Sequence, residues 1–295
     1  MRIGPFEISE PVPVLREPHA LAMLRPWIDV GGVGGLVLTR LERHFGAREL
    51  GKLARPGHFF DFTRYRPTVT MNEGRREITI PNTVMNYARR EGGHDFLFLH
   101  LLEPHMLGED YVEGIIEVLK QFGVKRYMQI GAMYDAVPHT RRLLVTGRGP
   151  KEMRLGDART GGNSYQGPTS INTLVSQNAP DLGIEVASLM AHLPQYVQLE
   201  EDYAGAARVL EILQSVYDLP PGLIDPRRGQ VQYEEITRAV ASNPRLIPVI
   251  KELEASYDAR NGPQEAPADE EAGPLSREVE DFLRKIDQEF KGDGA

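Results

Sequence analysis

Two polar clusters in the sequence contain side chains that could exchange protons or bind an anion. One is HLLEPHM at residues 100–106 and the other is GAMYDAVPHTRR at residues 131–142, and each follows an apolar segment. In open α/β sheets, ligands bind beyond the carboxyl ends of the strands. Glu103 and His139 are therefore the candidate catalytic residues, because a carboxylate and an imidazole can both act as general acids or bases.

A glycine-rich stretch, WIDVGGVGGL at residues 27–36, raises the question of a phosphate-binding loop. A Walker A loop would continue with Lys and then Ser or Thr, whereas Gly35 is followed by leucine and valine. The dinucleotide fingerprint also fails, since Val37 stands where that motif has its third small residue. Two interpretations stay open: the glycines let a helix approach a strand closely, or the free amides of the helix N-terminus bind an anion.

Further residues join the candidate ligand-binding set. They come from the glycine stretch, from the arginines of the second polar cluster, from the polar segment 148–170 and from AHLPQYV at 191–197. The full set is Gly32, Gly34, Gly35, Arg141, Arg142, Tyr165, Thr169 and His192. The chain has no cysteine, no His or carboxylate pair with the spacing of a metal motif and no G-x-S-x-G elbow. We therefore predict no metal and no cofactor.

Long apolar segments indicate a central sheet. Residues 95–102, 124–133 and 183–193 are rich in apolar side chains without alternation, which is typical of strands buried on both faces. Residues 109–123 and 201–217 have apolar side chains at helical spacing. The sequence thus predicts an α/β fold with a mixed, largely parallel central sheet flanked by helices, with the strand tips at one edge.

Shorter patterns predict the remaining elements of the body. The first twenty residues are rich in proline, and we expect them to form an extended arm. Residues 20–30 are predicted to be a strand that a proline interrupts, and residues 36–45 an amphipathic helix. TVTM and EITI alternate around NEGR, which predicts a hairpin over residues 68–80.

The chain is predicted to contain four consecutive units. An α/β domain covers residues 1–218, a helical extension 219–260, a flexible linker 261–275 and an amphipathic helix 276–291. The linker composition, NGPQEAPADEEAGPL, is typical of disorder. The apolar face of the last helix consists of Val279, Leu283, Ile286 and Phe290. A short amphipathic helix cannot bury its own face, so we expect it to dock on the body or on another protein.

Acidic charge is concentrated in the tail of the chain. Ten acidic and four basic residues follow position 261, so −6 of the net charge of −8 lies there. A nearly neutral body lacks the basic face that binds a phosphate backbone, so we expect no nucleic acid partner. We expect no membrane partner either, because no run of about 18 apolar residues occurs. The N-terminus does not resemble a signal peptide, which predicts a soluble, cytoplasmic protein.

The order of several motifs resembles the PAC2 family, whose namesake is a proteasome assembly chaperone. These motifs are GGVGG before the first helix, EP after a buried strand, GAMYDAVPHTR, YQGPTS and AHLPQYV, and the resemblance spans residues 15–218. It implies an α/β sandwich related to the nucleoside phosphorylase and hydrolase fold. It also implies self-association as a homotrimer or other ring, and a C-terminal helical extension like that of bacterial members.

Two functions stay open at this point. The first is a cytoplasmic homo-oligomer that acts by protein binding, as an assembly chaperone or scaffold. Family chaperones dock through a hydrophobic–Tyr–any C-terminus, and this chain ends KGDGA, so we do not expect docking by that motif. The alternative is a nucleoside- or phosphate-binding enzyme of the hydrolase or phosphorylase type. In that case Gly32–Gly35 would meet the anion, Arg141 or Arg142 would neutralise it, and His139 or Glu103 would move protons.

Overall fold

The structure is a computed structural model that describes residues 1–160 and 166–261. The strands are β1 (Arg2–Ile3), β2 (Phe6–Ile8), β3 (His19–Arg25), β4 (Arg48–Leu53), β5 (Thr68–Asn72), β6 (Arg75–Thr79), β7 (Val84–Ala88), β8 (Phe96–Leu102), β9 (Arg126–Asp135), β10 (Val145–Arg148), β11 (Arg159–Thr160) and β12 (Glu185–Pro194). The helices are α1 (Val33–Phe45), α2 (Gly108–Gln121), α3 (Ile171–Asn178), α4 (Tyr203–Tyr217), α5 (Arg227–Ala241) and α6 (Leu246–Asn261).

Ten of these strands form one mixed sheet in the order β1-β2-β4-β7-β8-β3-β9-β12-β10-β11. The central strands β8, β3, β9 and β12 are mutually parallel, and β9 and β12 pair over ten residues each. Antiparallel strands extend the sheet on both sides, through β7 on one side and β10 on the other. The predicted α/β fold with a largely parallel centre is confirmed, and the three long apolar segments lie in one layer.

The central strands are apolar throughout because both faces of the sheet are covered. On β8, Phe96 and Phe98 pack into the core beneath α1 and α4, whereas Leu97 and Leu99 pack into the core beneath α2 and α3. Successive side chains of a strand point to opposite faces, so a strand between two helical layers needs apolar residues at every position.

Each helix on the sheet presents one apolar stripe to its core. Helix α1 buries residues such as Val37 and Leu41 and ends at Gly46, whose left-handed conformation (φ 60°) closes the helix. Helix α4 begins at Asp202, whose side chain accepts a hydrogen bond from the Gly205 amide at 2.7 Å. These helices hold the sheet from one side, and α2 and α3 hold it from the other.

The N-terminal prediction was wrong in part. Instead of an extended arm, residues 2–8 form β1 and β2, and β2 pairs with β4 at the flank of the sheet. The predicted strand at 20–30 begins one residue earlier and ends at Arg25, because Pro26 follows. The predicted hairpin is confirmed: β5 and β6 form a separate two-stranded sheet in which every residue is exposed.

The C-terminal part of the described chain consists of α5 and α6. Helix α5 packs on α4, and α6 buries Ile250 and Leu253 against Ala136 and Tyr196. Asn261, the first residue of the predicted linker 261–275, is the last residue of α6. The rest of that linker and the predicted helix 276–291 lie outside the described residues. Among residues 1–160 and 166–261, no helix has the length and apolarity needed to cross a bilayer.

Candidate functional site

The four parallel strands end along one side of the sheet, which we call the carboxyl edge. It consists of the loops that follow β3, β8, β9 and β12, at residues 26–32, 103–107, 136–144 and 195–202. Both predicted catalytic residues and most of the predicted ligand-binding residues lie in these loops or beside them. Parallel strands bring their carboxyl ends to the same edge, which is why the sequence could place the candidates there.

The glycine stretch seats α1 against the sheet. A Cβ atom at Gly34 would lie 2.8 Å from both the Ile130 carbonyl oxygen and the Met23 Cβ, closer than such atoms can approach. At Gly35 the nearest atom would be the Met23 Cε at 3.4 Å. Gly32 has a φ of 57°, which side chains with a Cβ rarely adopt. These contacts favour the interpretation in which the glycines allow close helix packing.

The N-terminus of α1 is bonded to a carboxylate of the same chain. Asp29 Oδ1 accepts a hydrogen bond from the Gly34 amide at 2.5 Å. Burial raises the pKa of the Asp29 carboxyl, and the amides of Gly34 and Gly35 oppose that shift. The amide that an incoming anion would use at Gly34 therefore already has an anionic partner.

Glu103 ties the loop after β8 to the start of α3. Its Oε1 accepts from the Ile171 amide at 3.2 Å, and its backbone oxygen accepts from the Tyr65 hydroxyl at 3.0 Å. Burial raises the pKa of the Glu103 carboxyl, and the Ile171 hydrogen bond opposes that shift. Thr169 lies just before this helix and is exposed, with its hydroxyl 2.5 Å from that of Thr173. Glu103 and Thr169 thus belong to one neighbourhood.

His139 is bound to a tyrosine from the loop after β12. The Tyr196 hydroxyl lies 2.7 Å from both the backbone amide and the Nδ1 atom of His139. Since the amide can only donate, the hydroxyl accepts from it and can donate to Nδ1. Burial lowers the pKa of His139, and the charge of Glu254 opposes that shift. The neutral ring then has its proton on Nε2, which is buried without a hydrogen-bond partner among the described residues.

Arg141 ties the loop after β9 to helix α6. It binds both carboxylate oxygens of Asp258 at 2.8 Å and lies 3.2 Å from Glu254. The neighbouring Thr140 hydroxyl donates to Glu254 at 2.5 Å. The hydrogen bond to Asp258 is the main reason that the pKa of Arg141 is raised. This part of the second polar cluster therefore holds α6 in place.

Arg142 points instead toward α4 and the segment before β11. Its guanidinium lies 2.9 Å from Glu211 and 2.5 Å from Asp157. The hydrogen bond to Glu211 is the main reason that the pKa of Arg142 is raised. Arg208 on α4 binds the same two carboxylates from a buried position and also donates to the Leu143 carbonyl at 3.0 Å. The two arginines and two carboxylates form one network.

His192 on β12 is the middle member of a chain of three hydrogen-bonded side chains. Its Nδ1 lies 2.7 Å from Asp135 Oδ2, and its Nε2 lies 2.9 Å from the Thr146 hydroxyl. Burial alone would raise the pKa of Asp135, but His192 and the Ala136 amide outweigh burial and lower it. A carboxylate, an imidazole and a hydroxyl in this order can polarise the hydroxyl.

The candidate residues form separate groups along the carboxyl edge. Glu103 lies at the α3 side, whereas His139 lies between the loops after β9 and β12. Within residues 1–160 and 166–261, no hydrogen bond or ion pair joins Glu103 to His139 or either of them to His192. Tyr165 lies outside the described residues. In the same ranges, no cluster of three His, Asp or Glu side chains is placed to hold a metal ion.

Sequence reasoning missed two residues of this edge. Asp29 binds the start of α1, and the only signal for it was its position as the acidic residue just before the glycine stretch. Thr146 gave no signal, because its partner His192 is 46 residues away in the sequence. Contacts of that kind follow from strand order, which one sequence does not reveal.

Comparison with known proteins places this architecture. The PAC2 family model matches residues 23–241. A protein of unknown function from Corynebacterium glutamicum has a similar structure, with a TM-score of 0.78 and 21% identity over 88% of this chain and 99% of that chain. A proteasome-assembly chaperone homologue from Mycobacterium tuberculosis has a TM-score of 0.68 and 22% identity, over 78% of this chain and 99% of that chain.

A protein from an archaeon also has a similar structure. A proteasome activator from Pyrococcus furiosus has a TM-score of 0.61 and 13% identity, over 80% of this chain and 97% of that chain. At these identities the likenesses show a shared fold. A search among curated proteins found no match. The family model spans well over half of the sequence, and the chain belongs to the PAC2 family.

Proposed function

We propose that this chain acts by binding proteins, as a homo-oligomeric assembly chaperone or scaffold. One observation carries the proposal: the charged side chains of the carboxyl edge bind neighbouring helices of the same chain. Arg141 binds α6 through Asp258, and Arg142 binds α4 through Glu211. Membership of the PAC2 family and the shared fold with a proteasome-assembly chaperone homologue support the same function.

The C-terminal helix predicted at residues 276–291 is the proposed element that reaches a partner protein. It follows a segment with the composition of a flexible linker, and its four apolar side chains need a surface to cover them. The test is proximity labelling in the native organism with the full chain and with a chain that ends at residue 261. We expect the truncated chain to lose specific neighbours, and identical sets of labelled proteins would contradict this role.

Self-association is the second part of the proposal, with a homotrimer or another ring as the expected state. Relatives within the family include assembly chaperone homologues, and ring assembly is what the motif resemblance implies. Light scattering coupled to size-exclusion chromatography measures the mass directly. The chain has a mass of 33.0 kDa, so a homotrimer would appear near three times that value, and a monomer at all concentrations would contradict the proposal.

A second candidate function rests on the Asp135–His192–Thr146 chain. These side chains have the order in which a hydroxyl nucleophile is activated, which favours a hydrolase-like activity. Thermal shift measurements with nucleosides, nucleotides and phosphate would detect a ligand. Under this alternative, Thr146→Val and His192→Ala would each remove hydrolysis or the thermal shift while the fold is retained. A wild-type chain that shows neither would favour the protein-binding function.

A further inference from the structure

The hairpin of β5 and β6, which we call the ribbon, has one apolar face that is open to solvent. Val69 pairs with Ile78 and Met71 with Arg76, so these four side chains lie on one face, and Ile80 continues it. Met71 is 69% exposed and Ile78 is 63% exposed. Among these residues, Arg76 is the only one with a charge.

The opposite face of the ribbon is polar. It consists of Thr68, Thr70, Asn72, Arg75, Glu77 and Thr79. The Asn72 amide donates to Glu77 across the strands at 3.2 Å. Sheets that pack one face against protein and expose the other to water show this separation of apolar and polar side chains. A two-stranded ribbon alone is marginally stable in water, so a covering surface would also stabilise it.

The body of the chain has a groove whose chemistry complements the apolar face. The groove has a volume of about 340 Å³ and lies between α2 and the N-terminal strands, with Pro5, Phe59 and Leu107 among its apolar lining. Its charged lining groups other than His58 are Asp110, Glu113, Glu117, Arg2 and Arg55. The carboxylates outnumber the guanidinium groups, so the groove has a net negative formal charge.

The charges on the two surfaces are unpaired. The three acidic residues of the groove lie on the exposed face of α2, and none of them forms an ion pair within residues 1–160 and 166–261. Arg76 on the ribbon has no ion-pair partner in those ranges either. An apolar strip with one positive charge therefore matches a groove that combines a few apolar lining residues with excess negative charge.

We propose that the ribbon of one copy of this chain packs its apolar face into the α2 groove of a second copy, with Arg76 against the α2 carboxylates. The inference rests on the self-association proposed above and names its contact surfaces. A second copy is the occupant because both complementary surfaces belong to this chain. A contact between two different surfaces on identical subunits repeats around an axis and can close into a ring.

The first test compares the two faces of the ribbon. Met71→Gln with Ile78→Gln changes the apolar face, and Thr70→Gln with Thr79→Gln is the matched control on the polar face. Sedimentation should show that the first variant self-associates at least about tenfold more weakly than wild type, because buried interface anchors dominate affinity. The control should stay assembled. If both variants assemble like wild type, the ribbon is not the contact.

The second test asks whether the groove is the acceptor. Arg76→Glu should weaken assembly, and adding Asp110→Arg, Glu113→Arg or Glu117→Arg to the same chain should restore it. If Arg76→Glu weakens assembly and none of the three restores it, the groove is not the acceptor and the proposal falls. A wild-type chain that is monomeric at every concentration would instead refute the self-association on which the inference rests. Circular dichroism on every variant confirms that the fold persists.

Discussion

The carboxyl edge and the ribbon differ in whether their side chains have partners within the same chain. At the carboxyl edge, Arg141, Arg142 and His192 each have hydrogen-bond or ion-pair partners in the same chain. On the ribbon, Met71 and Ile78 are more than half exposed and touch no core. The polar groups of the edge therefore stabilise the subunit itself, whereas the ribbon would gain stability only from another surface. Polar side chains at the end of a strand can thus have a structural role, whereas the apolar face of the ribbon is the proposed contact surface.

The largest effect is expected at the buried arginine of the Asp157–Glu211 network. Arg208→Met should lower the free energy of unfolding by about 2–3 kcal/mol, because the buried Leu143 carbonyl loses its donor and both carboxylates lose charged hydrogen bonds. Arg142→Met is the matched control, since Arg142 binds the same two carboxylates but its side chain is 63% exposed. Arg142→Met should lower the free energy of unfolding by at most about 1 kcal/mol. Urea denaturation measures both, and equal losses would show that burial does not decide the contribution.

The next largest effect is expected at the glycine turn. Gly34→Ala should lower the free energy of unfolding by about 1–3 kcal/mol, because the new methyl would overlap the Ile130 carbonyl and Met23. Gly108→Ala at the start of α2 is the control, since a Cβ there meets nothing within 4 Å. If Gly34→Ala is as stable as Gly108→Ala, α1 does not need the glycine for its approach to the sheet.

A pH-dependent effect is expected at the opposite end of β3. Burial, together with the positive charges of His94, Arg126 and Arg90, lowers the pKa of His19 from 6.5 to about 3. Below pH 6.5 the unfolded chain therefore binds a proton that the folded chain does not. The free energy of unfolding should fall as the pH drops from 6.5 to about 3. In His19→Phe the loss of unfolding free energy between pH 6.5 and about 3 should be smaller, which chemical denaturation at several pH values would measure. If the variant loses as much stability as wild type, other groups cause the pH dependence.

The smallest effect on the subunit itself is expected from the ribbon. Met71→Gln with Ile78→Gln should change the free energy of unfolding of the isolated subunit by about 0.5 kcal/mol or less, because both side chains are exposed. Assembly nevertheless stabilises the folded chain by mass action. The Tm of wild type should then rise with protein concentration, and the Tm of the variant should not. A large loss of stability at high dilution would mean that the ribbon already packs on its own subunit.

The sequence predicted the centre of this fold better than its flank. Strands β8, β9 and β12 were found because burial on both faces makes their sequences apolar throughout. Strand β4 reads RELGKL and gave no such signal, since polar residues alternate with buried ones at the flank. Its Gly51 is required by β2, because a Cβ there would lie 2.3 Å from the Glu7 carbonyl oxygen. That constraint comes from a strand pairing across more than forty residues.

The candidate site was predictable in its location but not in its contacts. Strand-end loops could be recognised, so the sequence placed Glu103, His139 and His192 at one edge of the sheet. Their partners depend on tertiary packing: Ile171 for Glu103 and Tyr196 for His139. The partners of Arg141 lie on α6, 113 and 117 residues further along the chain. No local spacing rule connects residues across such distances.

The outermost strand at one border of the large sheet, β1, contains only two residues. A border strand this short exposes few unpaired amides and carbonyls, so a neighbouring molecule cannot easily add its own strand there. Uncontrolled fibre growth by backbone pairing is thereby discouraged at that border. Copies of the protein that meet would recognise each other through side-chain shape and charge, and such recognition can stop at a defined number of subunits.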